Sequence, residues 1–154
     1  MKKPTKYFTK AYILPLFPYL QSVDSPGEEN ARYYTDSVTF SADEFAGRLG
    51  VSLSGQPASW LGEVTYTEGG GVDRIQIGDT YFDGVTLREK LGLRSTAFVM
   101  TVVGSNITIT TKGYGHRVGM SQYGAEAMAV QGADYTQILA YYYQGCTLQT
   151  GQCN

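Results

Sequence analysis

The stretch GYGHRVGMSQYGAEAMA, from Gly113 to Ala129, restricts this chain more than any other. It holds the one histidine, His116, in a glycine-rich run that leads directly into a helix-forming segment. Glycines at 113, 115 and 119 permit positive φ and close backbone approach. A helix starting at Met120 or Ser121 offers unpaired amides and partial positive charge. Loop and helix start together suit an oxyanion or a sugar hydroxyl. The spacing is not the dinucleotide fingerprint, which needs G-x-G-x-x-G in a βαβ unit, so nucleotide binding is rejected. His116 can act as a general base, as a substrate contact or as a structural residue; in a loop, polar residues more often serve binding. Ser121 reads first as a helix cap. G-M-S-Q-Y-G is not a nucleophile elbow, which argues against serine catalysis.

The flanking sequence is α+β. Residues 1 to 40 lack periodicity, and SPGEENARYY (Ser25 to Tyr34) reads as a polar surface loop. Ser41 and Glu44 form a capping-box pattern before a short helix with Phe45 and Leu49 on one face, stopped by Gly50. Leu61 to Thr67 and Val72 to Gly78 pair as a hairpin. Thr86 and Glu89 suggest a second capping box. Thr96 to Val103 and Ile107 to Gly113 are β-branched strands joined by a tight turn at 104–106. Two helices close the chain: one over SQYGAEAMAVQ, ending at Gly132, and one capped by Asp134 with Gln137 as box partner. On the latter Tyr135, Ile138, Leu139 and Tyr142 share a face. The expectation is central antiparallel strands and hairpins with short helices, and two helices at the C-terminus.

Its 154 residues suit a single domain, 1–154. A net charge of -2 gives no basic face for nucleic acid. One histidine with Cys146 and Cys153 does not complete a zinc site, so no metal and no cofactor are expected. The two cysteines can pair in an exported protein. The apolar stretch Ala11 to Leu20 is interrupted by Pro15 and Pro18, and no clean cleavage site follows; it reads as an extended interior segment rather than a signal peptide.

From about residue 18 to 154 the chain resembles the stage II sporulation protein D family, which includes the amidase enhancers. The family's GHGVGMSQYGA, methionine-alanine pair, G-x-x-Y, I-L and Y-Y-x-G are matched at Gly115, His116, Val118 to Ala125, Met128, Ala129, Gly132, Tyr135, Ile138, Leu139, Tyr142, Tyr143 and Gly145, with Arg117 in place of a glycine. LREKLGLRSTAF (Leu87 to Phe98) and PYLQSVDSP (Pro18 to Pro26) match two further blocks in the same order. The resemblance implies an extracytoplasmic protein of the cell envelope. It implies glycan strands of peptidoglycan, stripped of stem peptides, as substrate, with a cell-wall amidase and membrane sporulation proteins as partners. It implies lytic transglycosylase chemistry, in which one carboxyl protonates the glycosidic oxygen and then helps the sugar's own 6-hydroxyl close an anhydro ring.

The family's catalytic glutamate lies in V-x-x-E-M-P, followed by K-A-Q-A-V-A-A-R-T-Y. Neither block occurs here, so the chain matches only the C-terminal portion of the family's domain and no catalytic residue is assigned. Glu44 and Glu89 read as helix caps, Glu63 and Glu68 flank a hairpin, and Glu126 sits on a helix. The candidate binding residues are Arg94, Ser95, His116, Ser121, Gln122 and Tyr123. Two readings stand: part of a glycan-cleaving enzyme, or a non-catalytic module that binds glycan or enhances an amidase.

Overall fold

The computed structural model of the chain describes Lys6–Tyr7, residues 18–149 and residue 151. Most of the interrupted apolar stretch lies outside the described residues, as does Cys153; Cys146 is exposed. The order is β1 (Lys6–Tyr7), β2 (Val23–Asp24), β3 (Thr35–Ser41), α1 (Ala42–Leu49), β4 (Leu61–Tyr66), β5 (Val72–Ile77), β6 (Thr80–Asp83), α2 (Gly84–Leu91), β7 (Phe98–Val103), β8 (Asn106–Lys112), α3 (Gln122–Val130) and α4 (Tyr135–Tyr142). Strands β3-β8-β7 form one antiparallel sheet and β4-β5-β6 another, while β1 pairs with β2. The architecture is α+β with two helices at the C-terminus, as the sequence predicts.

Local chemistry sets most boundaries. Ser41 accepts the Glu44 amide at 3.3 Å, and Gly50 ends α1 with φ 73°. The Glu44 carboxylate turns to Arg48 at 3.0 Å, along the helix. The start of α2 differs from expectation. Asp83 caps it, accepting the Thr86 amide and hydroxyl at 2.9 Å each, so the helix begins ahead of the expected Thr86–Glu89 box. A carboxylate at the end of β6 outcompetes a hydroxyl further on as acceptor for the same orphan amides. Strands β3 and β6 are additional to the hairpins read from sequence. In β3 only Phe40 is fully buried, so its alternation is faint. Pairing with β8 creates it, with hydroxyl contacts Ser37–Thr110 at 2.9 Å and Thr39–Thr108 at 2.8 Å.

Two apolar clusters result. The larger joins both three-stranded sheets to α1 and α2 through fully buried Phe45, Ile77, Leu87, Ile107 and Ile109. The smaller is built on Val23, Ile138 and Tyr142, with Ala125 and Met128 of α3 against it. The expected apolar face of α4 is narrower than its spacing suggests: Ile138 and Tyr142 are buried, Leu139 is half-buried and Tyr135 is 68% exposed. The SPGEEN loop corrects the reading of a surface segment. Ser25 and Glu28 are 0% and 2% exposed, because α3 and α4 pack over them.

Candidate functional site

The glycine loop is held from two sides. Positions 113, 115, 117 and 119 carry φ of 70°, 71°, 61° and 82°. The Gly113 amide donates to the Tyr34 carbonyl at 2.7 Å and the Gly115 amide to the Arg94 carbonyl at 2.7 Å; Thr96 donates back to Gly115 at 3.1 Å. Amides expected to meet a ligand are therefore spent on the protein's own backbone, as enclosed amides must be. Arg117 occupies a left-handed position where the related motif has glycine. A side chain there costs about 1–2 kcal/mol. Its guanidinium, buried, offsets this by donating to the Gly69 carbonyl at 2.8 Å and the Lys112 carbonyl at 3.4 Å.

Below the loop lies a buried polar network. Ser121 is the N-cap of α3, accepting the Gly124 amide at 3.1 Å, and its hydroxyl donates to Glu28 Oε1. Ser25 and the Tyr142 hydroxyl bond at 2.7 Å. A Cβ on Gly124 would collide with both Ser25 and the Tyr142 hydroxyl, and one on Gly27 (φ 87°) would meet Ala127 at 2.6 Å. The small residues of GMSQYGAEAMA thus let α3 lie against the SPGE loop. Burial holds the Tyr142 phenol above its usual pKa; the Ser25 bond opposes this and the Glu28 charge adds to it.

Above the network is an exposed aromatic and cationic surface. Tyr33, 55% exposed, has φ 59°, rare for a bulky residue. The guanidinium carbons of Arg32 and Arg94 lie 4.7 and 5.1 Å from its ring centre. Arg32 also donates to the Tyr33 hydroxyl at 2.8 Å, and Arg94 pairs with Asp36 at 3.0 Å. The Tyr114 hydroxyl donates to the Arg32 carbonyl, and its ring stacks on Tyr123 with centres 5.6 Å apart. Segments 31–36, 94–96 and 113–123 meet here.

The six sequence candidates divide. Arg94 and Tyr123 belong to the exposed surface. His116 is exposed in the loop, with Nδ1 accepting the Val118 amide at 3.1 Å, which leaves Nε2 for solvent. Gln122 is exposed on the first turn of α3. Ser95 is buried, its hydroxyl accepting the Ala97 amide at 3.1 Å. Ser121 is 4% exposed and faces Glu28; no hydrogen bond joins it to His116. Sequence reasoning missed Arg32, Tyr33, Asp36 and Tyr114 at the surface and Glu28 beneath it. The run Arg-Tyr-Tyr before a strand was the one available signal for the surface; nothing local marks Glu28 as buried. Among the described residues no group of His, Cys, Asp or Glu is placed to hold a metal ion.

No family model matches the chain. It is 47% identical over 137 residues to stage II sporulation protein D of Bacillus amyloliquefaciens, a match covering 88% of this chain and 39% of that protein. The corresponding protein of Bacillus subtilis (strain 168) is 44% identical over the same shares. The amidase enhancer of Bacillus subtilis (strain 168) is 48% identical over 65 residues, 40% of this chain and 9% of that protein. The chain spans about two fifths of the length of the two sporulation relatives. The fold joins the three blocks that resemble the family's, through Ser25 to Tyr142 and Ser95 to Gly115, and Glu28, just past the first block, bonds to Ser121. With identities of 44–47% across most of its length, the chain belongs to the stage II sporulation protein D family.

Proposed function

We propose that this chain serves sporulation or cell-wall remodelling as the glycan-holding part of a peptidoglycan lytic transglycosylase. One observation carries the reading: the exposed Tyr33 and Tyr123 rings and the half-buried Tyr114, grouped with Arg32 and Arg94. Pyranose rings offer apolar faces to aromatic side chains and hydroxyls to directed donors. The names of the two sporulation relatives support the cellular role. An envelope location outside the cytoplasm follows from the substrate; among the described residues no helix is long and apolar enough to cross a membrane.

The chemistry needs a carboxyl that meets the glycosidic oxygen. Glu28 is enclosed and engaged by Ser121, while Glu29, Glu44, Glu63, Glu68, Glu89 and Glu126 are exposed on the surface. On this reading none of these glutamates serves as the acid, which comes from the glutamate block that the resembled family carries and this sequence lacks. Purified chain incubated with denuded glycan strands is expected to retain them on a pull-down and to release no anhydro-muramyl ends. Release of such ends would return a local carboxyl to the catalytic role.

A second reading has its own support in the 65-residue match to an amidase enhancer. On that reading the same surface meets an amidase. Stimulation of a cell-wall amidase without retention of glycan would favour it.

A further inference from the structure

We propose that Arg117 is a positioning residue: it holds the glycine loop so that the His116 ring keeps its proton on Nε2 and presents that N–H outward, as a donor to an acceptor oxygen of the ligand. The ligand half of this inference rests on the glycan reading above; the Arg117 half does not.

His116 Nδ1 lies 3.1 Å from the Val118 amide nitrogen. A backbone N–H can only donate, so Nδ1 accepts and the neutral ring carries its proton on Nε2. The residue is exposed, and among the described residues Nε2 has no protein partner. A side chain that accepts the amide two residues on closes a small turn, as Asn and Asp side chains do. Residue 117 is the middle of that turn. Its backbone angle decides whether the Val118 N–H points at the ring. Here φ is 61°, which a residue with a side chain rarely adopts.

Arg117 is fastened so that this angle cannot relax. Its Nε donates to the Gly69 carbonyl at 2.8 Å and its Nη1 to the Lys112 carbonyl at 3.4 Å. Both acceptors are themselves fixed. Gly69 lies in a turn closed by the Thr67 amide on the Gly71 carbonyl at 2.8 Å and the Gly70 amide on the Thr67 carbonyl at 2.9 Å. Lys112 ends β8, opposite Thr35, with its amide on the Ala97 carbonyl at 2.8 Å. On the other side the Gly115 amide is tied to the Arg94 carbonyl. His116 therefore sits between two anchored neighbours. A general base needs an open lone pair. With Nδ1 engaged and Nε2 protonated, this ring gives a hydrogen bond and takes no proton while the turn is closed. The related motif has glycine at 117, which permits the left-handed angle without enforcing it.

The 154-residue chain has one histidine, so its imidazole signals in a nitrogen-labelled sample are unambiguous. Spectra are taken at about pH 8, above the ordinary imidazole range. The parent should show a coupling through the hydrogen bond between the Val118 amide nitrogen and His116 Nδ1. That coupling should fall in Arg117→Gly and be lost in Arg117→Ala; the glycine variant, which keeps the angle accessible, carries the test if the alanine variant does not fold. Binding of an N-acetylglucosamine oligomer should weaken about three- to tenfold in His116→Phe, the loss of one neutral hydrogen bond. His116→Gln, which retains an amide donor, should recover part of it. Arg117→Gly should weaken binding in the parent and add nothing in His116→Phe, because it acts through the ring. A coupling absent from the parent, or undiminished in both Arg117 variants, would overturn the proposal whatever the glycan does. Oligomer binding unchanged in His116→Phe would overturn the donor role and leave the glycan reading standing. No binding by the parent would overturn the glycan reading and the donor role together, with the coupling still deciding for or against Arg117.

Discussion

Arg117 shows how a single side chain can hold a backbone conformation that its type disfavours. At φ 61° the position suits glycine, and the related motif has glycine there. The guanidinium bonds to the Gly69 and Lys112 carbonyls fasten the loop to the turn before β5 and to the end of β8. Arg117→Ala keeps the left-handed cost and loses the charged bonds; the expected loss in urea unfolding is about 1.5–3 kcal/mol. Arg117→Gly loses the same bonds but relieves the left-handed strain, so it should be less destabilised than the alanine variant by about 1 kcal/mol. Equal stability of the two would mean that φ at 117 carries no strain.

Helix α4 separates an apolar pattern from actual burial. Asp134 and Gln137 complete its capping box, with Asp134 accepting the Thr136 amide at 2.8 Å and Asp134's amide donating to Gln137 at 2.9 Å. The Asp134 carboxyl is held below its usual pKa, first by the Thr136 hydroxyl and then by the Gln137 amide. Its stabilising contribution is therefore present above the ordinary aspartate value and is lost as pH falls through the lowered one. Along the helix, Ile138 fills the second core, whereas Leu139 lines an open groove of about 270 Å³ with Tyr19 and Tyr143. Ile138→Ala should cost about 2–5 kcal/mol by leaving a cavity. Leu139→Ala should cost visibly less, because solvent already reaches that side. Denaturant midpoints of the two variants rank them; the reverse order would place the core on the other side of α4.

At the scale of the molecule, Glu28 is where the two halves of the smaller core meet. It binds Ser121 across 93 residues of chain, and Ser25 meets Tyr142 across 117. These bonds seat α3 and α4 on the loop that precedes β3. Glu28→Ala leaves the Ser121 hydroxyl without this acceptor and should cost about 2–3 kcal/mol. Hydrogen exchange should show amides of α3 and α4 losing protection first, while β7 and β8, anchored in the larger core, keep theirs. Uniform loss would mean that both cores open as one unit. The same contact area has an alkaline limit. Because burial raises the Tyr142 phenol above its unfolded value, the neutral phenol stabilises the fold fully below about pH 10, and that contribution is lost as pH rises through the raised value.

Elements were legible in the sequence because their determinants are local. Ser41 and Asp134 meet amides two or three residues away, Gly50 takes the left-handed angle that ends α1, and β-branched runs alternate along β7 and β8. Ser121 was legible as a cap for the same reason. At the surface, Arg94 and Tyr123 could be named from their motifs, yet Tyr33, the partner of Arg94, could not, since that contact joins segments that only folding brings together; Tyr114 lies in the same stretch as Tyr123, and the left-handed turns at 115, 117 and 119 lie between the two stacked rings. Glu28 is the clearest case. In sequence it is one of two adjacent glutamates in a polar turn, as suited to solvent as Glu29. Its burial is decided by α3, whose Gly124 and Ala127 are small enough to close over Ser25 and Gly27. The order of helices and strands therefore follows from the chain's own short-range hydrogen bonds and apolar periods. The inward carboxyl and the outward tyrosine follow from packing between segments about a hundred residues apart, where the free energy of burial is shared by partners that no local pattern connects.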